Sequence, residues 1–96
     1  MIDHTTKGSI FDDLGFDEAE AENLKIRASL MRAIEQYIKS NKLTQKDAAV
    51  LMGVYQPRIS DLLHGQINKF TIDMLVNMLS RAHVSISLII DDKIAA

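Results

Sequence analysis

Residues 43–65 of this 96-residue chain read LTQKDAAVLMGVYQPRISDLLHG, and they contain start and stop signals for two short helices. Thr44 is a typical helix N-cap with an acid three residues later, and Gly53 ends the apolar run that follows. Pro57, the only proline, fits the first turn of a second helix, where its missing N–H has no intrahelical partner to lose. Gly65 is a natural left-handed terminator. The stretch therefore predicts two short helices joined by a tight glycine turn.

The spacing within this stretch is that of a helix-turn-helix. Ala49 is the small residue required where two helices cross, and Gly53 lies in the turn, where a Cβ would be penalised at positive φ. The positions that hold the two helices at a steep angle are apolar, namely Ala48, Met52, Val54, Ile59 and Leu62. A plain helical hairpin is the alternative, and the combination of these positions at fixed offsets favours the helix-turn-helix.

Two further helices and a strand are predicted around the motif. Upstream, Asp17 is a plausible N-cap with acidic residues in the first turns, and an apolar stripe recurs at steps of three and four through Leu30, Met31, Ile34, Tyr37 and Ile38. Downstream, Thr71 caps a helix whose inward face is Ile72, Leu75, Val76, Met78 and Leu79. Residues 84–90, VSISLII, alternate with period two, which is typical of a strand. The predicted fold is mainly α, a bundle of four to five helices with one C-terminal strand.

Length and charge divide the chain into three parts. Ninety-six residues suffice for one compact domain, and 25% charged with 47% hydrophobic residues is an ordinary globular composition. The net charge of −2 is uneven: residues 1–22 carry −6, residues 23–83 carry +5 and residues 84–96 carry −1. We expect an acidic N-terminal arm over 1–16, a DNA-binding domain over 17–83, and a C-terminal strand and tail over 84–96. A solvated tail beside an ordinary charged surface is the simpler interpretation of the charge alone.

The composition argues against an enzyme. No cysteine is present, which excludes disulfides, thiol nucleophiles and thiolate metal sites. His4, His64 and His83 are isolated, without the spacing of a metal site or of a nucleophile and its base, and no glycine-rich phosphate loop occurs. We expect no metal and no cofactor. With no apolar run near the ~18 residues of a membrane span and no secretory signal, we expect a soluble cytoplasmic protein without a membrane partner.

The motif and its flanks resemble a known family. Residues 43–49 (LTQKDAA) and 52–65 (MGVYQPRISDLLHG) look like the Xre, or lambda-repressor-like, helix-turn-helix family. Residues 9–16 (SIFDDLGF) and 69–75 (KFTIDML) resemble the subgroup with HigA-type antitoxins of toxin–antitoxin operons. The resemblance covers about residues 9–90. It implies a dimeric repressor of its own promoter, and in many members an inhibitor of a RelE-like mRNA-cleaving toxin.

A helix-turn-helix places the N-terminal residues of its second helix at base edges in the major groove of double-stranded DNA. Gln56 can contact adenine bidentately, and Arg58 can do the same to guanine or hold a phosphate. Pro57 can contact a thymine methyl group. Ser60 and Asp61 lie at positions where the family reads bases, and Asp61 could accept a hydrogen bond from cytosine.

Other polar residues are candidates for phosphate contacts. Gln45 resembles the family glutamine that contacts phosphate and braces the first recognition residue. Lys42, Lys46, Asn68 and Lys69 add affinity without sequence choice in this interpretation, and each lysine taken singly is nearly as well explained as solvated surface. Tyr55 departs from the family, which has Ser or Thr there as N-cap. Its phenol is therefore assigned to the DNA backbone.

The predicted strand lacks a partner of comparable quality in the chain. An unpaired strand edge invites association, so we expect it to pair with a second copy about a two-fold axis through Val84, Ile86, Leu88 and Ile90. Two recognition helices would then meet major grooves ~34 Å apart on an operator with two-fold symmetry. The alternative is pairing with residues 9–11 of the same chain.

The acidic arm is the candidate site for a basic toxin. Its apolar and acidic residues are Ile10, Phe11, Asp12, Asp13, Leu14 and Phe16, which could anchor in a cationic, RNA-gripping surface and become ordered on binding. The competing role is that the apolar residues cover the domain's own core. Two other functions stay open: an orphan or phage-type regulator without a toxin, and an adaptor that keeps the fold but binds only protein.

Overall fold

The computed structural model describes residues 17–91, and the acidic arm over 1–16 lies outside this range. The chain forms α1 (Glu18–Ser40), α2 (Gln45–Met52), α3 (Gln56–Leu63), a 3-10 turn (Ile67–Lys69) and α4 (Ile72–Arg81). Helices α2 and α3 pack against each other and are covered by α1 and α4. The helical part of the predicted fold is therefore confirmed.

Three of the four helices begin with the side-chain caps that the sequence predicts. An Asp17 carboxylate oxygen accepts a hydrogen bond from the Glu20 amide at 2.7 Å, and Thr44 Oγ1 accepts one from the Asp47 amide at 3.0 Å. Thr71 Oγ1 accepts one from the Met74 amide at 3.2 Å. These bonds satisfy amides of the first turn that have no intrahelical acceptor.

The helices end in left-handed residues, of which only two are glycines. The predicted terminators Gly53 and Gly65 have φ of 71° and 70°. Lys42 and His83 occupy the same positions after α1 and α4, with φ of 52° and 62°. Each of these four residues belongs to a Schellman motif, in which two successive amides donate to carbonyls of the last helical turn. After α4 these bonds are His83 N–H to Ser80 O and Val84 N–H to Leu79 O, both at 3.0 Å. All four helix ends thus satisfy their last carbonyls in one way.

The core is apolar throughout and lies between α1, the α2–α3 pair and α4. Among the described residues its buried side chains are Met31, Ile34, Ile38, Ala48, Ala49, Met52, Ile59, Leu62, Phe70, Leu75, Met78, Leu79 and Ala82. Most were predicted from the helical stripes. Phe70 was not, although an apolar residue just before the Thr71 cap with Leu75 four residues into the helix is the pattern of a hydrophobic staple.

The C-terminal segment follows α4 without regular secondary structure over residues 84–91. Within residues 84–91 the single subunit forms no strand ladder, so the predicted strand is not confirmed. Val84 is half-buried against the core, whereas Leu88, Ile89 and Ile90 are 79%, 92% and 82% exposed. The alternative pairing partner, residues 9–11, lies outside the described range. No described helix is long and apolar enough to cross a membrane.

Candidate nucleic-acid interface

The turn between α2 and α3 sets the crossing that a helix-turn-helix requires. Gly53 has the left-handed φ of 71°, and an added Cβ there would lie 2.7 Å from Cδ of Arg81, whose side chain lies against the turn. Ala48 and Ala49 are buried on α2, and Ile59 and Leu62 are buried on α3. Small side chains on one helix and branched ones on the other allow the close approach. These contacts orient the opposite face of α3 outward.

The first turn of α3 presents polar side chains to solvent. Gln56 and Pro57 are exposed, and together with Gln45, Ser60 and Asp61 they line a shallow concavity between the starts of α2 and α3. Gln45 is half-buried and lines the same concavity as the exposed Gln56. The structure therefore brings together four of the five predicted base-contacting residues and the predicted bracing glutamine.

Helix α3 begins without a side-chain cap. Tyr55 is the N-cap residue and its side chain makes no capping bond; the phenol is 88% exposed. Pro57 lies in the first turn, and the Arg58 amide donates to the Tyr55 carbonyl at 2.9 Å. The fixed φ of proline favours this helix start, so the helix forms at the expected residue despite the unusual N-cap.

Arg58 is the predicted base reader that the structure places differently. Its Nη1 donates to the Lys69 carbonyl at 3.0 Å, and its guanidinium carbon lies 5.5 Å from the centre of the Phe70 ring. The side chain is half-buried and runs back toward the 3-10 turn, where it makes a cation–π contact. To contact a base directly, Arg58 must exchange the Lys69 carbonyl for the DNA.

Asp61 also faces the 3-10 turn. Its carboxylate lies 3.7 Å from Lys69 Nζ, so one predicted base reader and one predicted phosphate contact form an ion pair. Ser60, one position earlier, lies beside His64, whose Nδ1 is 2.8 Å from the Ser60 carbonyl. Since a carbonyl can only accept, Nδ1 carries the proton in this contact. His64 thus closes the end of α3.

The remaining predicted phosphate contacts are exposed but not all adjacent. Lys46 lies in the first turn of α2, Lys42 just before that helix, and Asn68 and Lys69 on the 3-10 turn beside α3. Lys46 follows Gln45, which lines the concavity, and Lys69 Nζ lies 3.7 Å from the carboxylate of Asp61, which also lines it. No group of three or more His, Asp or Glu side chains within residues 17–91 could hold a metal ion.

Sequence reasoning missed Arg27. Its Nη1 donates to the Ile67 carbonyl at 3.0 Å and lies 3.3 Å from the Phe70 carbonyl, while Nε donates to Asn23 Oδ1 at 2.7 Å. The partners lie 40 and 43 residues further along the chain, so no local pattern indicates the contact. The Asn23 spacing of four residues was the only local signal.

Comparison with known proteins identifies the domain. No curated protein matches the chain. A family model described as a helix-turn-helix domain matches residues 10–91, which include all four helices and the segment after them. This match agrees with the Xre-like resemblance of residues 43–65. The chain belongs to this helix-turn-helix domain family, whose fold is that of a DNA-binding regulator.

Proposed function

We propose that this protein is a dimeric, sequence-specific transcriptional repressor that inserts α3 into the major groove of its operator. The observation that carries the proposal is the exposed first turn of α3. Gln56 projects from that turn beside Gln45 of α2, in a concavity formed where both helices begin. A glutamine amide at this place can donate to and accept from one adenine at the same time.

The base-reading roles divide among the residues of α3. Gln56 and Pro57 are free to meet base edges as they stand, the first by hydrogen bonds and the second through a thymine methyl group. Ser60 follows one turn later. Arg58 and Asp61 start from contacts with the 3-10 turn, so their use on bases requires those contacts to be replaced. Arg58 can instead hold a phosphate close to its present position.

The part of the DNA affinity that does not depend on base sequence comes from groups beside α3. Lys42, Lys46, Asn68 and Lys69 are exposed, and the Tyr55 phenol lies at the start of the recognition helix. Each lysine that neutralises a phosphate releases counterions, so binding falls as salt rises. We expect the binding constant to decrease linearly with salt concentration on a double-logarithmic plot.

The dimer is proposed to form through residues 84–90. The sequence of this segment alternates with period two, and its alternate residues Leu88 and Ile90 are exposed and apolar. A second copy of the same segment, antiparallel about a two-fold axis, would provide the missing ladder and cover these side chains. Together with Val84 and Ile86 they form one face of the proposed ribbon.

We further propose the HigA-type antitoxin role, with residues 1–16 as the site for a basic, RelE-like toxin. The support is chemical: residues 1–22 carry −6, and residues 10–16 contain apolar anchors next to acids. In the described range, Glu18, Glu20 and Glu22 are exposed and continue this acidic region into α1. A toxin that grips RNA phosphates would present a complementary surface.

The DNA-binding function is tested by gel shift and footprinting on the DNA upstream of the protein's own gene. We expect a protected segment with two-fold symmetry, competed by itself and not by a shuffled duplex. Binding without preference between the two duplexes would contradict the repressor and favour the protein-binding adaptor.

The antitoxin role is tested by co-expression with the protein encoded in the adjacent open reading frame. We expect growth arrest by that protein alone, relief by the full chain, and no relief by a chain lacking residues 1–16. A control variant with the recognition glutamine changed, Gln56→Ala, should still relieve arrest. A neighbouring gene whose product is harmless would indicate an orphan regulator instead.

A further inference from the structure

The 3-10 turn of residues 67–69 is held from both sides by arginines of different helices. From α3, Arg58 Nη1 donates to the Lys69 carbonyl at 3.0 Å. From α1, Arg27 Nη1 donates to the Ile67 carbonyl at 3.0 Å and approaches the Phe70 carbonyl at 3.3 Å. Three carbonyls within or directly after this short turn, those of Ile67, Lys69 and Phe70, therefore accept hydrogen bonds from two guanidinium groups.

The 3-10 turn depends on these contacts because it has few internal hydrogen bonds. Its internal bonds are Lys69 N–H to Gln66 O at 2.9 Å and Phe70 N–H to Ile67 O at 3.2 Å. It has only three residues and follows the left-handed Gly65. Turns of this type have poorer hydrogen-bond geometry than α-helices. Phe70 is buried and fixes one end, but Asn68 and Lys69 are exposed.

The turn lies where it can contact the backbone of a duplex that α3 has entered. Lys69 is joined to the recognition helix twice, through its carbonyl to Arg58 and through its ammonium group to Asp61 at 3.7 Å. A cation held beside the recognition helix fits a phosphate at the groove edge better than one on a mobile loop, since less freedom is lost on binding.

We infer that Arg27 is a positioning residue for DNA binding, which holds the 3-10 turn by its Ile67 and Phe70 carbonyls so that Asn68 and Lys69 meet the phosphate backbone. The inference rests on the proposed DNA-binding function. Arg27 itself lies on α1, half-buried, with Nε fixed by Asn23 at 2.7 Å. This second bond orients the guanidinium plane toward the turn.

Arg27→Met tests the inference, because it keeps the aliphatic stem and removes the charge and the donors. Arg32→Met is the matched control: it removes the same charge from the same helix, and Arg32 bonds only to Ser29 within the described residues, at 3.4 Å. The probe is the duplex protected upstream of the gene, titrated by fluorescence anisotropy at several salt concentrations.

We expect Arg27→Met to weaken binding about three- to tenfold and to reduce the salt slope by about 1, and we expect the same of Lys69→Met. Arg32→Met should leave the slope unchanged. Adding Arg27→Met to Lys69→Met should weaken binding less than Arg27→Met does alone, because only the Asn68 contact is then left to be mispositioned. Equal effects of the two arginine variants, or additive effects of Arg27→Met and Lys69→Met, would overturn the inference.

A second measurement keeps the test valid whatever the stability of the variant. Hydrogen exchange of the Lys69 and Phe70 amides should be faster in Arg27→Met than in Arg32→Met, while exchange in the middle of α3 should be alike in both. Unchanged exchange in the turn would overturn the inference without affecting the proposed function. If the unmodified protein prefers no duplex, the proposed function fails first, and the inference with it.

Discussion

Gln56 is the residue on which base recognition depends most directly in the proposed complex. Its side chain is exposed at the first position of α3 and makes no hydrogen bond among the described residues, so its removal should leave folding intact. We expect Gln56→Ala to cost ~1–3 kcal/mol of binding to the protected duplex and to relax preference at one base pair.

The control for this prediction is Lys46→Ala, in the first turn of α2. As a phosphate contact it should weaken binding to all duplexes alike and lower the salt slope by about 1, without changing base preference. Both are measured by anisotropy on duplexes substituted one base pair at a time. A uniform loss for Gln56→Ala would contradict its role at a base edge.

Lys42 and His83 carry backbone strain that glycine would relieve. Their φ values of 52° and 62° are left-handed, which disfavours a side chain by ~1–2 kcal/mol and is partly offset by the greater unfolded-state freedom of glycine. We expect Lys42→Gly and His83→Gly each to raise the free energy of unfolding by roughly 0.5–1 kcal/mol. Urea denaturation measures this change.

The same pair separates stability from binding. Lys42→Gly removes a proposed phosphate contact, so the more stable protein should bind DNA more weakly. His83→Gly should be stabilised with unchanged DNA affinity. If both variants bound DNA as tightly as the unmodified protein, Lys42 would be a solvent-exposed residue that makes no phosphate contact.

For single residues, sequence prediction succeeded where the chemistry of the side chain itself indicates the role. Asp17, Thr44 and Thr71 are caps by chemistry, and Gly53 and Gly65 are terminators because glycine tolerates positive φ. Lys42 and His83 gave no such signal, since their conformation is imposed by the helices they end. The contact of Arg27 was invisible for a related reason: its acceptors are backbone carbonyls, which no sequence pattern marks.

At the scale of elements, α3 is docked to the 3-10 turn through Arg58. Arg58→Lys keeps the charge but loses the planar stacking over Phe70, while Arg58→Ala loses both. We expect a stability loss of about 0.5–1 kcal/mol for Arg58→Lys, and a DNA-binding loss of ~1–3 kcal/mol for Arg58→Ala. Thermal unfolding and anisotropy measure the two effects.

Arg32→Lys and Arg32→Ala are the controls, because the only hydrogen bond of the Arg32 side chain among the described residues goes to Ser29 and not to the 3-10 turn. They should leave both stability and binding close to those of the unmodified protein. Unchanged affinity of Arg58→Ala for the protected duplex would show that this arginine serves only the fold.

The helices were predictable as elements because each stripe of apolar residues, its cap and its terminator agree. In α4, Leu75, Met78 and Leu79 are all buried, as the spacing from Thr71 indicates. The sequence pattern predicts no element between Gly65 and Thr71, where the 3-10 turn lies. Its structure comes from Phe70 entering the core and from two distant arginines, which are tertiary effects.

At the scale of the molecule, the proposed dimer depends on one face of residues 84–90. The double variant Leu88→Lys and Ile90→Lys places charges on that face, whereas Ile89→Lys places one on the opposite face. All three side chains are at least 79% exposed in the single subunit, so the bundle should fold in each case. We expect the double variant to dimerise at least tenfold more weakly, about 1.4 kcal/mol, and Ile89→Lys to stay dimeric.

Sedimentation velocity over a range of protein concentrations measures this difference. The double variant should also lose the cooperative occupation of both halves of the protected duplex. An unmodified protein that sediments as a monomer at every concentration would refute the ribbon. The structure of a single subunit does not test the proposed strand, because in the proposed dimer the strand that pairs with it belongs to the second copy.

The Schellman motif at the end of α4 has a consequence for operator geometry. With Val84 N–H bonded to Leu79 O and His83 in the left-handed region, the backbone is fixed where residues 84–91 leave α4. In the proposed strand, successive residues point to opposite sides, so one inserted residue after His83 would exchange the two sides. In the proposed dimer, the number of residues between α4 and the strand would therefore determine which way the subunits face and how far apart their half-sites must lie.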